Sequence, residues 1–184
     1  MIEWQSMLSQ SLQAEYGPRP NVGTLATVDT GGMPRARAVV CRRLAEDGAA
    51  YITSDARSGK SQDARANAHG ELVFWLPSRR EQFRLWGDVV RIGPGSADPE
   101  LAEAWTQLPA VTRATFFWPQ PGAPRAPESD FRKSAPGDLP PPDTFEILVL
   151  RPTLIRYVAL QFQPHRARKW TREGANWEAH DINP

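Results

Sequence analysis

The sequence predicts a mainly β protein: an antiparallel β-barrel with peripheral helices that cover its ends. The prediction rests on about eight β-rich runs, on the turns between the first of them, and on the scarcity of helical patterns. Three consecutive strands this close together leave no room for helical crossovers, so we expect an antiparallel meander. Closing such neighbours on themselves gives a barrel. A chain of 184 residues, 40% of them apolar, suits one domain over residues 1–184 with a buried core.

The first third of the chain is expected to supply a helix and then the meander. Apolar residues between Ile2 and Tyr16 recur at a spacing of three to four, which predicts an amphipathic helix that ends at Gly17. The next three strands are predicted over Val22–Val28, Ala36–Arg42 and Ala49–Ser54. Ser58 is then placed as the N-cap of a helix over Gly59–Ala68, with its hydroxyl accepting from the first free amides.

The rest of the chain continues the pattern of strands with one more helix. Gly87 interrupts the strand Gln82–Ile92 and predicts a bulge there. Asp98 as N-cap and Pro99 at the first position predict a helix with Leu101, Ala104, Trp105 and Leu108 on its buried side. The remaining strands are predicted over Leu72–Leu76, over Phe145–Leu150 and Leu154–Leu160 with a break at Arg151-Pro152, and in a hairpin over Trp170–Arg172 and Asn176–His180.

A proline-rich segment separates the last helix from the last strands. Residues 118–142 carry too many prolines for a helix or an inner strand. A loop of this length is usually either disordered or functional.

Charge and composition exclude several classes of protein. The chain has 22 basic and 21 acidic residues, so a dedicated nucleic-acid binder is disfavoured. Cys41 is the single cysteine, which excludes an internal disulfide. The sequence has no apolar run of membrane-spanning length and no signal-peptide pattern, so we expect a cytoplasmic protein. Of the basic residues 19 are arginines, which either reflects a general compositional bias or serves an anionic ligand.

The segment from Thr53 to Ser61 carries the most specific chemistry. It runs from a strand end into a helix N-terminus, where free N–H groups and a partial positive charge favour a phosphate. Lys60 and Arg57 add full charges to that site. A nucleotide-hydrolysing P-loop is rejected, because Ser54 stands where that motif needs a glycine. The alternative is an ordinary capped helix with solvated basic side chains.

Two further side chains could serve a ligand. Arg37 opens the apolar run Ala38–Cys41, and a buried arginine needs an anionic partner, either a protein carboxylate or a ligand phosphate. Gln82 could bind a heterocycle edge through its amide or could simply cap its strand.

The side chains offer little catalytic machinery of their own. His69, His165 and His180 lack metal-ligand spacing, so no metal site is predicted. No carboxylate pair and no nucleophile elbow stand out, so no catalytic residue is assigned. If the protein is an enzyme, we expect a cofactor to supply the chemistry.

Four segments, in this order, resemble one known family over nearly the whole chain: Gly23–Leu44, Tyr51–Lys60, Leu72–Gly87 and the ending HRARKW…NWEAHDINP. The sequence is similar to the pyridoxamine 5′-phosphate oxidase-like, FMN-binding split-barrel family. The resemblance implies an antiparallel FMN-binding split barrel and a homodimer with FMN at the subunit interface. It also places residues 118–142 at that interface.

The resemblance implies a set of cofactor contacts. Gly59 replaces an arginine of the family's phosphate clamp, and Arg57 is the nearest substitute. The C-terminal arginine of the family matches either Arg166 or Arg168. The full set of candidate FMN contacts is Arg37, Ala38, Val39, Val40, Arg42, Ile52, Thr53, Arg57, Ser58, Gly59, Lys60, Gln82, Trp118, Arg166 and Arg168.

The resemblance is weaker where family enzymes hold the phosphate of a vitamin B6 substrate. The segment Ala104–Arg113 offers only Thr112 and Arg113 for that role, and the family tryptophan near the flavin falls around Tyr157-Val158. We therefore expect an FMN-dependent oxidoreductase acting on a small molecule, without transferring the vitamin B6 reaction. The alternatives are a non-catalytic FMN-binding or ligand-sensing module and a flavin- or deazaflavin-dependent reductase.

Overall fold

Strands dominate the structure, a computed structural model that describes residues 2–184. Within those residues, none of the helices combines the length and apolar character that crossing a bilayer requires. The helices are α1 (Glu3–Tyr16), α2 (Gly59–Ala66), α3 (Pro99–Gln107) and α4 (Ala110–Ala114). The strands are β1 (Asn21–Val28), β2 (Pro34–Leu44), β3 (Ala50–Asp55), β4 (His69–Leu76), β5 (Glu81–Ile92), β6 (Phe145–Ala159), β7 (Arg166–Glu173) and β8 (Asn176–Ile182).

Six antiparallel strands close into a ring. The order is β3-β2-β1-β4-β5-β6, and pairing of β3 with β6 completes the circle. β7 and β8 extend the sheet beyond β6. The predicted meander of β1, β2 and β3 is confirmed, as is the predicted mainly β barrel.

β6 serves both parts of the sheet. Its first residues, Phe145–Leu150, pair with β3, whereas Leu154–Ala159 pair with β7. The predicted break at Arg151-Pro152 is therefore wrong, because one continuous strand runs through it. Pro152 is tolerated at an irregularity of the ladder, where a proline need not donate a hydrogen bond.

The predicted bulge at Gly87 is confirmed, but the extra residue belongs to the facing strand. Trp86 pairs with Leu154 and Gly87 with Pro152, so Thr153 of β6 is the additional residue. A Cβ at Gly87 would overlap the backbone oxygen of Arg151. Only glycine therefore fits at this close approach of two backbones.

Helices α1 and α2 cover opposite ends of the barrel. α1 places Trp4, Leu8 and Leu12 in the core of the barrel. Ser11 of α1 also contacts Glu81, which pairs with Leu76, the last residue of β4. At the other end, α2 contacts Thr27, which lies near the first residues of β4. The prediction of an N-terminal amphipathic helix is confirmed.

Helix α3 builds a second apolar cluster on the outside of β6. Trp105 packs edge-on against Phe116 and lies close to Phe145. The predicted Asp98 cap is confirmed, since its carboxylate accepts from the amide of Glu100 at 3.0 Å. Leu101 and Leu108 are buried as predicted, and Ala104 is partly buried.

The proline-rich segment packs against this second cluster. Trp105 donates its indole N–H to the carbonyl of Leu139 at 2.6 Å, and Ala135 is fully buried. Apart from a 3₁₀ turn over Glu128–Asp130, residues 118–142 form neither helix nor strand, as predicted. The short helix α4 was not predicted.

Candidate functional site

The barrel is split between β2 and β3. In β2, only the segment from Cys41 to Leu44 pairs with β3, and the residues before Cys41 diverge from it. Residues 37–40 of β2 therefore pair with β1 but have no strand partner on their other side among the described residues. Backbone groups left free along this edge can bind a ligand, because unpaired N–H and C=O groups need partners.

Several predicted contacts lie along this split. Ala38 is exposed and Val40 is partly buried, whereas the side chain of Val39 is in the core, so Val39 can offer only backbone atoms. Ile52 is likewise buried, and Thr53 is partly exposed.

A register shift at Arg42 turns its side chain toward β3. The shift lies between Cys41 and Arg43, and the Nε atom of Arg42 reaches the Thr53 hydroxyl at 3.5 Å. Arg42 and Thr53 then line a groove of about 190 Å³ beneath α3. Burial lowers the pKa of Arg42.

Helix α2 begins at the mouth of the split, but Ser58 does not cap it as predicted. Its hydroxyl makes no capping bond to the backbone. It instead accepts from the ammonium of Lys60 at 3.0 Å and lies 3.1 Å from the hydroxyl of Ser61. The first N–H groups of α2 are thus left without a side-chain cap, which is the condition for anion binding at a helix N-terminus.

The partner of Arg37 is a protein carboxylate. Its guanidinium donates to Asp63 on α2 at 3.0 Å and to the Thr27 hydroxyl at 2.6 Å. Thr27 donates in turn to Asp63 at 2.6 Å. Asp63 therefore fixes the position of Arg37, while the guanidinium keeps 26% side-chain exposure and further N–H donors.

Among the described residues, Lys60 has no carboxylate partner, and neither has Arg65 later in α2, whose guanidinium donates to the carbonyl of Ala56 at 3.1 Å. Arg57 pairs with Asp55 at 2.7 Å, and no carboxylate of the described residues lies within ion-pair distance of Lys60. Burial lowers the pKa of Lys60, Asp55 partly offsets that effect, and nearby Arg37 adds to it. Lys60 therefore carries a positive charge at the start of α2 that no ion pair compensates.

Arg57 is engaged within the turn and is poorly placed to replace the clamp arginine. Its guanidinium makes two bonds to Asp55 and a third to the backbone oxygen of Trp118 at 3.0 Å. This contact brings Trp118 to the margin of the site, where its indole N–H donates to the carbonyl of Arg132. Gly59 is exposed, and a Cβ there would touch nothing.

The other predicted contacts lie elsewhere on this chain. Gln82 is on the outer face of the barrel, opposite Trp75 of β4 and Val158 of β6. Arg166 and Arg168 line a separate cavity of about 670 Å³, on the α1 side of the barrel.

The structure distinguishes between Arg166 and Arg168. Arg168 pairs with Glu3 at 2.6 Å and with Asp181 at 2.7 Å. Arg166 has no ion pair among the described residues, and its guanidinium lies 3.9 Å from the centre of the Phe162 ring. Arg166 is therefore the one of the two whose charge is available to a ligand.

Arg113 has a structural role. It is buried and donates to the carbonyls of Ala135, Thr106 and Leu108. It therefore cannot reach a substrate phosphate without breaking those bonds, whereas Thr112 is partly exposed.

Sequence reasoning missed the residues that hold the site together. Asp63 and Thr27 fix Arg37, and Glu81 with Tyr157 forms a hydrogen-bonded group in the second cavity. Their partners are remote in sequence, so no local pattern identifies them. The one usable signal is Arg37 in an apolar run, since a buried arginine needs an anionic partner, either a protein carboxylate or a ligand phosphate.

Comparison with known proteins identifies the family of this chain. Residues 1–93 match the family model described as pyridoxamine 5′-phosphate oxidase, FMN-binding domain. A pyridoxine/pyridoxamine 5′-phosphate oxidase of Bordetella avium is 30% identical, with 88% of this chain and 81% of the relative covered. One of Thermosynechococcus vestitus is 26% identical over 99% of this chain and 87% of its own length.

A solved structure extends the likeness to the whole fold. It is a pyridoxamine 5′-phosphate oxidase-related, FMN-binding protein of Nostoc punctiforme PCC 73102, with 28% identity and a TM-score of 0.92. The match covers 100% of this chain and 99% of that one. The chain therefore belongs to the pyridoxamine 5′-phosphate oxidase FMN-binding domain family.

Proposed function

We propose that this protein binds FMN in the split between β2 and β3 and acts as an oxidoreductase on a small molecule. The observation that carries the proposal is the uncompensated charge of Lys60 at the uncapped N-terminus of α2, where the split opens. A phosphate monoester is the anion that such an arrangement suits.

The phosphate would lie against α2. Lys60 supplies a full charge and Ser58 a hydroxyl, and the free amides of the first turn supply donors aimed at the anion. Arg37, fixed by Asp63, adds charge-assisted donors from β2.

The flavin ring would lie along the open edge of β2. The backbone of residues 38–40 offers unpaired donors and acceptors there, and Arg42 and Thr53 form the neighbouring wall. When bound, FMN supplies the capacity to accept a hydride, while the chain's residues bind and orient it.

We further propose that a second copy of this chain completes the site. Gln82 and the cavity at Arg166 are distant from Lys60 within one chain, so they would come from the second copy. The outer face around Gln82 suits this contact, since Trp75 and Trp86 are each 44% exposed on it. Exposed aromatic side chains of this size often mark an interface.

The substrate is a separate question from the cofactor. Because Arg113 is committed to backbone carbonyls, oxidation of pyridoxamine 5′-phosphate is not part of the proposal. The same observation favours a second candidate function, a non-catalytic FMN-binding module.

Absorbance and titration test the cofactor. We expect the purified protein to be yellow or to take up added FMN, and Lys60→Ala or Arg37→Ala to weaken FMN by about 10–100-fold. Arg172→Ala, at an exposed position of the β7–β8 hairpin where the guanidinium donates only to the carbonyl of Gly174, is the control and should leave affinity unchanged. Wild-type protein that binds no FMN would contradict the proposal, as would unchanged affinity in Lys60→Ala.

Anaerobic mixing of the FMN-loaded protein with electron donors tests the catalytic part. Bleaching of the flavin by a reduced nicotinamide or by an amine identifies an oxidoreductase and its class of donor. A flavin that no donor bleaches would instead support the non-catalytic module.

A further inference from the structure

We propose that residues 118–132, which we call the strap, close against the turn before α2 when an anion occupies the start of that helix. Asp55 and Arg57 would transmit the occupancy to the strap. The anion site is part of the proposed function, so this inference rests on it. Inorganic phosphate can nevertheless test the inference without any flavin.

The strap is a loop whose ends are joined to each other. Trp118 donates its indole N–H to the carbonyl of Arg132 at 2.7 Å, which links the first residue to the last. Phe131 lies edge-on to Trp118 with the ring centres 5.4 Å apart, and the guanidinium of Arg125 lies 4.1 Å from the centre of the Phe131 ring. Compact loops of this kind are frequently functional. The internal contacts let the strap move as one unit.

A single hydrogen bond ties the strap to the barrel. Arg57 donates to the backbone oxygen of Trp118 at 3.0 Å. Apart from this bond and the local bond from the amide of Trp118 to Thr115, no hydrogen bond joins residues 118–132 to the rest of the described chain. Segments held by so few contacts open at a low cost in free energy. The position of Arg57 therefore decides whether the strap is attached.

Asp55 holds both the anchor of the strap and part of the anion site. Its carboxylate accepts from the backbone amide of Arg57 at 2.8 Å and from the guanidinium at 2.7 Å. Its carbonyl accepts from the amide of Ser58 at 3.0 Å and from the hydroxyl of Ser61 at 2.8 Å. Ser58 and the first turn of α2 are the groups proposed to hold the phosphate. The two features therefore share one residue.

Lys60 can compete with Arg57 for the carboxylate of Asp55. Burial lowers the pKa of Lys60, and attraction to Asp55 acts against that effect. The other acid that attracts Lys60 is Glu146, which is fully buried and already pairs with Arg91. While no anion is bound, Asp55 is therefore the carboxylate that Lys60 can recruit, at the expense of Arg57.

An anion at the start of α2 would end this competition. It would pair with Lys60 and leave the carboxylate of Asp55 to Arg57, which then keeps its bond to Trp118. A ligand shifts a conformational equilibrium only when it interacts differently with the two states, and the shared carboxylate supplies that difference. Anion binding and closure of the strap then favour each other reciprocally.

Limited digestion with trypsin tests the proposal. Cleavage sites follow Arg125 and Arg132 in the strap and Lys133 directly after it, and mass spectrometry gives the rate at each. Such rates follow the population of the open form. We expect saturating inorganic phosphate to slow these cuts about 5–10-fold relative to potassium chloride of equal ionic strength, as for a modest coupling between two sites. Cuts after Arg84 in β5 report global unfolding and should stay slow.

Two variants separate this coupling from simple shielding of the strap by a ligand. Arg57→Gln should be cut rapidly with and without phosphate, because the strap has lost its anchor. Lys60→Gln should be cut slowly in both conditions, because no cation then competes for Asp55. Arg35→Gln is the control. It breaks an arginine–aspartate pair of the same kind, with Asp29 at 2.8 Å, and should respond to phosphate like the wild type.

The proposal is overturned if phosphate leaves the wild-type rates unchanged, if it protects Arg57→Gln, or if Lys60→Gln is cut as rapidly as the anion-free wild type. A parallel digestion with FMN separates the two proposals. Protection by phosphate in a protein that takes up no FMN contradicts the FMN proposal alone. FMN-loaded protein whose strap is cut as rapidly as that of the free protein contradicts the strap proposal alone.

Discussion

The charged side chains around α2 differ in one respect that matters for ligand binding. Arg37 and Arg57 each have a carboxylate partner, whereas Lys60 has only a hydroxyl and the free end of a helix. Burying a cation without a counter-ion costs free energy that an anionic ligand would recover. The site is therefore best formed when an anion is bound.

FMN affinity should fall with rising pH because of Lys60. Burial lowers the pKa of this lysine from its ordinary 10.5, so it loses its proton at a lower pH than an exposed lysine. A phosphate monoester is already a dianion above pH ~7, since its second pKa is ~6. We expect FMN binding, measured by fluorescence quenching from pH 7.5 to 9.5, to weaken as pH rises.

Lys60→Arg is the matched control for this pH dependence. Arginine stays protonated throughout the range, so affinity should be flat with pH in this variant. An equal decline in both proteins would mean that Lys60 is not the titrating group.

Glu81 should make stability sensitive to acid. Its pKa is lowered from the ordinary 4.5, so the unfolded chain binds its proton more readily than the folded one. Stability from this group is present above pH 4.5 and is lost as pH falls toward the folded pKa. Urea unfolding between pH 7 and 3.5 should show a smaller acid loss in Glu81→Gln, and parallel pH curves for the two proteins would contradict this role.

At the residue scale, the sequence indicated which side chains could bind a ligand better than it indicated their hydrogen-bond partners in the fold. It singled out Arg37 because it opens an apolar run, and Lys60 because it lies at a helix start that follows a strand end. The anionic partner expected for Arg37 is found in Asp63. It assigned Ser58 a capping role that the structure does not support, since two neighbouring serines, Ser54 and Ser61, and Lys60 contact that hydroxyl instead. Such networks depend on side-chain packing, which local pattern does not determine.

At the scale of elements, Gly87 gives a sharp test of the β5–β6 pairing. A methyl group there would overlap the backbone of Arg151, so Gly87→Ala should lower the free energy of unfolding by about 2–4 kcal/mol. Gly59→Ala is the control, because a Cβ there meets nothing and alanine favours a helix, so it should be neutral or stabilising by up to ~1 kcal/mol. Equal effects in denaturant unfolding would contradict the close approach.

The errors at this scale share a physical cause. A proline usually ends a strand, but Pro152 lies at an irregularity where no hydrogen bond from it is needed. The strand predicted over Trp170–Arg172 begins four residues earlier, at Arg166. The basic residues before Trp170 lack the alternation of a half-buried strand, but pairing with β6 and β8 holds them in β7. Tertiary pairing overrides local pattern in both cases.

At the scale of the whole molecule, the fold class was predictable because strand patterns and turns repeat along the chain. The resemblance to the family also predicted a split barrel, which is confirmed. The point at which β2 and β3 stop pairing was not predictable from strand patterns. Neither was the separation of the candidate contacts into two groups at opposite ends of the barrel.

That separation predicts that FMN binding depends on dimerisation. Light scattering should give about twice the chain mass of 20.5 kDa. Trp86→Glu puts a charge on the outer face and should produce monomers that bind FMN weakly. Val111→Glu, at a position that is 65% exposed on α4, is the control and should stay dimeric. A wild-type monomer that binds FMN with full affinity would contradict the shared site.

The double pairing of β6 has a consequence for biosynthesis. Until residues 145–159 leave the ribosome, β1–β5 can form only an open sheet, with β3 and β5 as unpaired edges. The family match ends at residue 93, so that stretch lacks the strand that closes the barrel. A nascent chain halted between residues 93 and 144 would expose both edges to other chains, and unpaired strand edges promote aggregation.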